Sequence, residues 1–409
     1  MRRVVISGAG SINALGKGVA AFAAGLRDSR CAIRTLSLFD SAAYRSTCAA
    51  EVESLAPPTW LPAALARRVT RTDLLALIAA HEALESAGLR GGGSSLQGEA
   101  SPMMLAVVLG ATTGGMHASE EFVRRRVLAL PPAPRRALLT TPLSTTVDLL
   151  ASVFGAAGPR LVVSTACSSS ANALGIAADM IRSGRADAVL CGGTDALCRM
   201  TFSGFNALQA LDKVPCRPFD RRRAGLTLGE GAAMFVLEEE AAAHDRGAPI
   251  LAEFLGYGVS ADAHHITQPR PDAAGALLAM QRALGASGVS AEEIDYVNAH
   301  GTGTPMNDVL ETRALKTLFG PCAYRIPVSS TKSMVGHCLG AAGAIEALAC
   351  VLALRGDFLP ATVTLEEPDP ECDLDYVPRT SRPARIRTVL SNSYGFGGNN
   401  TAIVLRAAE

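Results

Sequence analysis

The sequence predicts an α/β fold built from two pseudo-duplicated halves, and three observations carry that prediction. Short apolar runs alternate with alanine-rich helical segments along the whole chain, the pattern of layered α/β folds around a largely buried sheet. A charged, alanine-rich connector over residues 238–249, ending Arg246-Gly247-Ala248-Pro249, divides the chain into 1–249 and 250–409. Each part then repeats one theme: a strand, a reactive residue at its C-terminal end, and a helix rich in small residues. Residues 164–173 and 330–343 are the two instances. Open α/β sheets place ligands at that edge.

In the first part, strands are expected at 3–7, 105–109, 161–164, 188–191 and 232–237. In the second they are expected at 250–256, 294–298, 326–329, 388–391 and 401–405. Each is a short apolar run between turn residues. Helices are expected over 72–86, 171–181, 276–284, 309–318 and 341–354. In 171–181, Leu174, Ala177, Ala178 and Ile181 fall at helical spacing, and Gly184 follows where a left-handed C-cap is wanted. Gly91-Gly92-Gly93-Ser94-Ser95 reads as a flexible surface loop.

Bulk properties exclude several classes of function. Basic and acidic side chains number 38 each, so no global field attracts nucleic acid or an anionic membrane. The N-terminus, Met1-Arg2-Arg3-Val4-Val5-Ile6, reads as a first strand and not a signal peptide, and no stretch approaches the roughly 20 apolar residues of a membrane span. The 10 cysteines show no Cys-x-x-Cys pair or zinc spacing. They fit a reducing cytoplasm, so a cytoplasmic chain without a metal is expected.

Four segments carry chemistry. Cys167, in Ser164-Thr165-Ala166-Cys167-Ser168-Ser169, stands at the break between strand and helix. There a sulfur meets unpaired backbone N–H groups and the positive end of the helix dipole, an environment that favours the nucleophilic thiolate. Val297-Asn298-Ala299-His300-Gly301-Thr302-Gly303-Thr304-Pro305 is a strand ending in histidine before a glycine–threonine loop. Lys332 and His337 share a strand-to-helix turn within 329–343, in a chain with only four lysines, Lys17, Lys213, Lys316 and Lys332. The glycines of Tyr394-Gly395-Phe396-Gly397-Gly398-Asn399-Asn400 let backbone N–H groups approach a ligand. Singly, each is more readily a packing feature; together they are hard to explain as packing.

With Pro218-Phe219-Asp220 and Gly229-Glu230-Gly231, these segments resemble the β-ketoacyl-acyl carrier protein synthases of the thiolase superfamily, over essentially the whole chain and in the family's order. The resemblance implies a thiolase fold with a layered αβαβα core. The first half would carry the nucleophilic cysteine and the second the two catalytic histidines. It implies decarboxylative condensation of an acyl group on Cys167 with malonyl-acyl carrier protein, in fatty-acid or type II polyketide elongation. The backbone N–H groups of Cys167 and Phe396 would form the oxyanion hole. His300 and His337 would stabilise the enolate, and Lys332, paired with Glu346, would hold His337 and the local field. Asp308 and Glu311 match a family structural network, against the plain alternative of a solvated helix start. Phe396 would be the gate, with Thr113 and Phe205 at the acyl pocket. Arg67, Arg68, Arg71, Arg135 and Arg136 would dock acidic carrier protein, and Gln209 stands where relatives carry a docking arginine. No cofactor is implied, since substrates ride on the carrier's phosphopantetheine. The expected assembly is a homodimer, or a heterodimer with a chain-length-factor-like ketosynthase.

Three alternatives are weaker. A chain-length factor lacks the nucleophilic cysteine that this chain keeps. A coenzyme A thiolase needs a second cysteine near the C-terminus, where residues 395–400 stand instead. A dinucleotide-binding oxidoreductase is suggested by Gly8-Ala9-Gly10, yet Asn13 replaces the third glycine and no suitably spaced acid follows.

Overall fold

The computed structural model describes residues 2–89 and 103–408; the glycine–serine stretch at 91–95 lies outside the described residues. The first half supplies β1 (Val4–Asn13), β2 (Leu105–Gly110), β3 (Arg160–Val163), β4 (Ala188–Asp195) and β5 (Gly231–Glu239). The second supplies β6 (Ala252–Ala261), β7 (Tyr296–Asn298), β8 (Val328–Ser329), β9 (Thr388–Gly395) and β10 (Asn399–Ala407). Across the sheet they run β8-β7-β9-β10-β6-β1-β5-β4-β2-β3. Counted within each half from its outer edge inward, both orders are third, second, fourth, fifth, first.

Strand directions duplicate as well. The second strand of each half is parallel to the third and fourth. The fifth is antiparallel to the first and fourth. Even the irregularities match, with a bulge at Ile6/Gly8 in β1 and at Phe254/Gly256 in β6. The halves join where β1 and β6 pair antiparallel, at Val5–Glu253 and Ile6–Ala252.

Five layers result. The helices Ser169–Arg182 and Ala342–Gly356 lie at the centre, with Val108 and Phe235 of the first half and Val389 and Ile403 of the second packed on them. The opposite strand faces carry outer helices. Arg71–Ser86 packs on Val107, Leu109 and Met234, and Ala274–Ser287 with Pro305–Phe319 packs on Val297, Leu390 and Val404. Strands buried on both faces explain the unbroken apolar runs. The segment Leu339–Gly356 corrects the expectation that nothing resembles a membrane span: its 18 residues have the length and composition of one, but 83% of it is buried. A helix that is apolar around most of its circumference, Glu346 excepted, is here the middle of the core.

Gly8-Ala9-Gly10 has a packing role. A Cβ on Gly8 would lie 2.2 Å from the Ala83 carbonyl oxygen, and one on Gly10 2.0 Å from that of Ala79. In the second half Gly258 meets the Ala279 carbonyl oxygen at 2.2 Å in the same way. Bare backbone at these points lets the first strand of each half touch its outer helix. Gly10→Ala and Gly258→Ala should therefore each lower unfolding free energy by about 1–3 kcal/mol, the usual cost of overpacking. Chemical denaturation measures this, and a neutral result at both would refute the close-contact account.

Candidate active site

Cys167 lies on the sharp turn between β3 and the helix Ser169–Arg182, with Ala166 at φ 53°. Short polar side chains fix the turn. The Thr165 N–H donates to Ser169 Oγ (2.9 Å), which donates in turn to the Ala166 carbonyl oxygen (2.6 Å). Asn172 Nδ2 donates to Thr165 Oγ1 at 2.9 Å. Gly395 backs the turn so closely that a Cβ there would lie 3.2 Å from the Cys167 nitrogen. Burial pushes the Cys167 thiol up to about 11, against the opposing pull of Lys332 and the backbone N–H groups of Phe396 and Cys167. The thiolate expectation is thus corrected. With Cys167 only 7% exposed, desolvation of the anion outweighs the helix terminus, and the resting group is a thiol.

His300, two residues past β7, and His337, after the short helix Lys332–Val335 that follows β8, face this sulfur. Their rings lie 5.4 Å apart at 85°. Lys332 Nζ donates to His300 Nδ1 (3.2 Å), to the His300 carbonyl oxygen (2.6 Å) and to Glu346 Oε1. An ammonium has three N–H donors and no acceptor. His300 Nδ1 is therefore the acceptor, and its proton sits on Nε2. The Leu339 N–H donates to His337 Nδ1 at 3.1 Å, which fixes the same tautomer there. His337 Nε2 is buried without a partner. Both imidazoles are held well below their ordinary pKa, first by burial and then by Lys332, so both are neutral N–H donors. The expected pairing of Lys332 with Glu346 is present, but the histidine that the lysine contacts is His300 and not His337.

Supporting groups surround the loop after β7. Glu311 accepts from the N–H groups of His300 (2.9 Å) and Gly301 (2.8 Å), and from Asn392 Nδ2 (3.2 Å). Asp308 accepts from the N–H groups of Phe219 (2.8 Å) and Gly303 (3.2 Å). Both acids are buried, which removes the alternative of a solvated helix start. Burial pushes Glu311 and Glu346 up to about 7.

A cavity of about 280 Å³ opens over Cys167, His300 and His337, and Phe205, Phe396 and Tyr394 form part of its wall. Phe205 and Phe396 stack at 5.6 Å. The cavity does not reach Thr113, whose hydroxyl donates to Asp195 Oδ1 at 2.8 Å; the side chain belongs to that buried network. Sequence reasoning missed Tyr394, whose ring lies 5.6 Å from His300, and Asn392. Tyr394 opens the glycine-rich segment that drew notice for its backbone, and Asn392 lies two residues ahead of it.

Among the described residues, Cys167, His300 and His337 bring their donor atoms within 4.8 Å of one another, close enough to suggest a metal site. Their tautomers argue otherwise. Both Nε2 atoms present hydrogens to the cavity, and moving those protons to Nδ1 would set them against the donors Lys332 and Leu339.

The five arginines divide. Arg71 turns inward to pair with buried Glu230 (Nε–Oε2 2.7 Å) and to donate to the Val52 carbonyl oxygen (2.9 Å). Its assignment to docking is therefore withdrawn, because two acceptors in the interior hold its guanidinium. Arg67, Arg68, Arg135 and Arg136 are exposed, and Arg136 Nη2 donates to the Arg67 carbonyl oxygen at 3.2 Å, so the two pairs form one patch.

The description "Beta-ketoacyl synthase, N-terminal domain" matches residues 1–243, and "Beta-ketoacyl synthase, C-terminal domain" matches 251–366. The 3-oxoacyl-[acyl-carrier-protein] synthase 2 of Synechocystis sp. is 38% identical over 99% of this chain and 98% of its own. The tetracenomycin polyketide synthase ketoacyl synthase alpha subunit of Streptomyces glaucescens is 41% identical over 99% and 97%. The solved ishigamide ketosynthase/chain length factor superposes with a TM-score of 0.92 at 36% identity, covering 100% of both chains.

The lowered histidine pKa values make stability depend on pH. In the unfolded chain an imidazole takes up a proton near 6.5, whereas folded His337 does not. Its contribution is therefore complete above pH 6.5 and is lost as pH falls below that value. Glu311 and Glu346 act in the opposite sense over the window from 4.5 to about 7. Comparing His337→Asn with the parent chain isolates the histidine. Between pH 7.5 and 5.5 the parent should lose more unfolding free energy than the variant in urea titrations. Equal losses would contradict a neutral, buried His337.

Proposed function

The chain belongs to the β-ketoacyl synthase family, and from that premise we propose that it condenses an acyl group on Cys167 with malonyl-acyl carrier protein, releasing CO2 and β-ketoacyl-acyl carrier protein. One observation carries the assignment of roles: two separate pairs of N–H donors converge on one sulfur. The backbone donors of Phe396 and Cys167 sit beside Sγ. The Nε2–H groups of His300 and His337 face it across the cavity.

In the first half-reaction the Cys167 sulfur attacks the acyl thioester. The Phe396 and Cys167 N–H groups hold the oxyanion, and the carrier's thiol leaves with the proton that Cys167 gives up. Malonyl-carrier protein then enters. Its C–C bond to the carboxylate breaks, CO2 leaves, and the electron pair becomes an enolate whose oxygen lies between His300 and His337. The carbanion attacks the acyl carbonyl, a C–C bond forms, and Cys167 departs as thiolate and regains a proton from solvent. Lys332 and Glu346 hold His300, while Asp308 and Glu311 hold the loop that carries it. Phe396 closes the entrance against Phe205. No metal or organic cofactor enters these steps, because phosphopantetheine delivers both substrates.

The exposed patch of Arg67, Arg68, Arg135 and Arg136 suits an acidic carrier protein. A second ketosynthase-fold chain suits β3, an edge strand with Leu161 42% exposed. Val127 and Leu128 are also exposed, at the end of the helix Met116–Val127. That partner is either another copy or a chain-length-factor-like protein, and the heteromeric arrangement is the second reading. Ten unpaired cysteines support a cytoplasmic setting.

Intact-protein mass spectrometry with acyl- and malonyl-carrier proteins tests the reading. Cys167→Gln should carry no acyl adduct yet still decarboxylate malonyl-carrier protein. His300→Ala and His337→Ala should form the adduct but lose decarboxylation by about 10²–10³, the scale for an oxyanion donor. Loss of both activities in every variant would sink the division of roles. Reversing Arg67, Arg68, Arg135 and Arg136 to glutamate should raise the carrier-protein KM at least about 4-fold, as exposed ion pairs contribute ~0.2–1 kcal/mol each. A fall in kcat alone would remove the patch from docking.

A further inference from the structure

We propose that Asp195 is a positioning residue for His337: its carboxylate holds the turn at 338–341 in the one conformation that keeps the His337 proton on Nε2. The inference rests on the reading of His337 as an enolate donor and adds a residue outside the cavity to that machinery. Asp195 is the last residue of β4 and is fully buried. Hydrogen bonds from Thr112 and Thr113 are the largest influences that oppose its burial. Oδ1 accepts from the N–H (2.7 Å) and hydroxyl (2.8 Å) of Thr113, and Oδ2 accepts from the Thr112 hydroxyl (2.6 Å). The Thr112 N–H also donates, at 3.0 Å to Oδ1, and a further donor comes from the other half of the molecule: the Gly340 N–H reaches Oδ2 at 2.7 Å.

That bond acts one residue from the catalytic imidazole's own tether. Leu339 is forced into the left-handed region, at φ 52°, a conformation that a leucine does not hold unaided. Its N–H is the donor to His337 Nδ1. Pinning Gly340 on one side and His337 on the other fixes the intervening peptide. Gly340 itself is required, because a Cβ there would lie 2.7 Å from Asp195 Oδ2. Without the carboxylate, Leu339 relaxes, its N–H leaves Nδ1, and the imidazole proton exchanges between its two nitrogens. A His337 that presents a lone pair to the cavity cannot hold an enolate oxygen.

Two variants approach this link from opposite sides. Asp195→Asn keeps the volume but loses an acceptor, and Gly340→Ala displaces the carboxylate. Each is made in the full-length protein, and those that melt cooperatively are compared by long-range 1H–15N spectra of 15N-histidine-labelled protein. The chain has 7 histidines, and His337 is assigned as the signal missing from His337→Asn. The parent should show His337 as a single Nε2–H tautomer, and each variant a mixture. Malonyl-carrier-protein decarboxylation should fall about 10- to 100-fold, the scale at which outer partners of functional imidazoles act, while Cys167 acylation stays within about threefold. A folded variant that retains the single tautomer, or that loses acylation and decarboxylation together, overturns the proposal. If the parent itself shows no decarboxylation, the functional reading fails while the tautomer spectra still judge Asp195.

Discussion

The buried ammonium of Lys332 is the constraint on which the site depends. Its side chain is 2% exposed, and its three acceptors come from the end of β7 and from the central helix Ala342–Gly356. A charge this deep is costly unless paired and fully hydrogen-bonded. Glu346 supplies the pair, and His300 supplies the other two acceptors. In satisfying the lysine, the protein also decides which nitrogen of His300 bears its proton, because an ammonium cannot accept. Burial first, and the same positive charge second, keep both imidazoles neutral. One electrostatic requirement thus helps fix the position, tautomer and charge of groups contributed by separate loops.

Duplication of the fold explains how those loops meet. Cys167 follows β3 and His337 follows β8, the third strand of each half, and each stands ahead of a central helix. The helices are cross-tied at their N-termini, since the Ala344 N–H donates to Ser170 Oγ at 2.9 Å. Gly193 on β4 admits this approach: a Cβ there would lie 2.5 Å from Ser170 Cβ and 3.1 Å from Ala341 Cα. The nucleophile and a histidine are therefore equivalents in two copies of one architecture. His300 breaks the symmetry, because its counterpart loop after β2 carries Thr112 and Thr113 and binds Asp195.

Much of this was legible in the sequence. Strand-and-helix alternation, and the ends at which Cys167, His300 and His337 fall, follow from hydrophobic pattern and turn residues. What escaped depends on neighbours distant in the chain. Arg71 reads like Arg67 and Arg68, three basic residues within one short stretch, and only the approach of Glu230 turns it inward. Thr113 reads as a pocket residue until Asp195, 82 positions on, is seen to accept from it. The ionisation of Cys167 escaped for another reason. Local sequence shows the helix terminus that stabilises a thiolate but not the depth of burial that opposes it, and here burial dominates. Lys332 was identified as a partner of Glu346, yet which histidine it touches depends on where β7 ends relative to β8.

A thiol with a pKa near 11 suits this chemistry better than a free thiolate. Acyl transfer between two thiols consumes no net proton, so Cys167 need ionise only as the carrier's sulfur departs. Once acylated, the sulfur carries no charge when the malonyl carboxylate enters the same cavity. The neutral histidines follow the same logic. An imidazolium would bind the carboxylate's charge in the ground state, whereas catalysis requires donors that gain most where charge arrives. Decarboxylation moves the negative charge from the departing carboxylate to the thioester oxygen. The Nε2–H groups of His300 and His337 are aimed at that destination and are fixed before the reaction begins. The buried lysine and glutamate lie behind His300, where they set its tautomer without contacting the charge that moves.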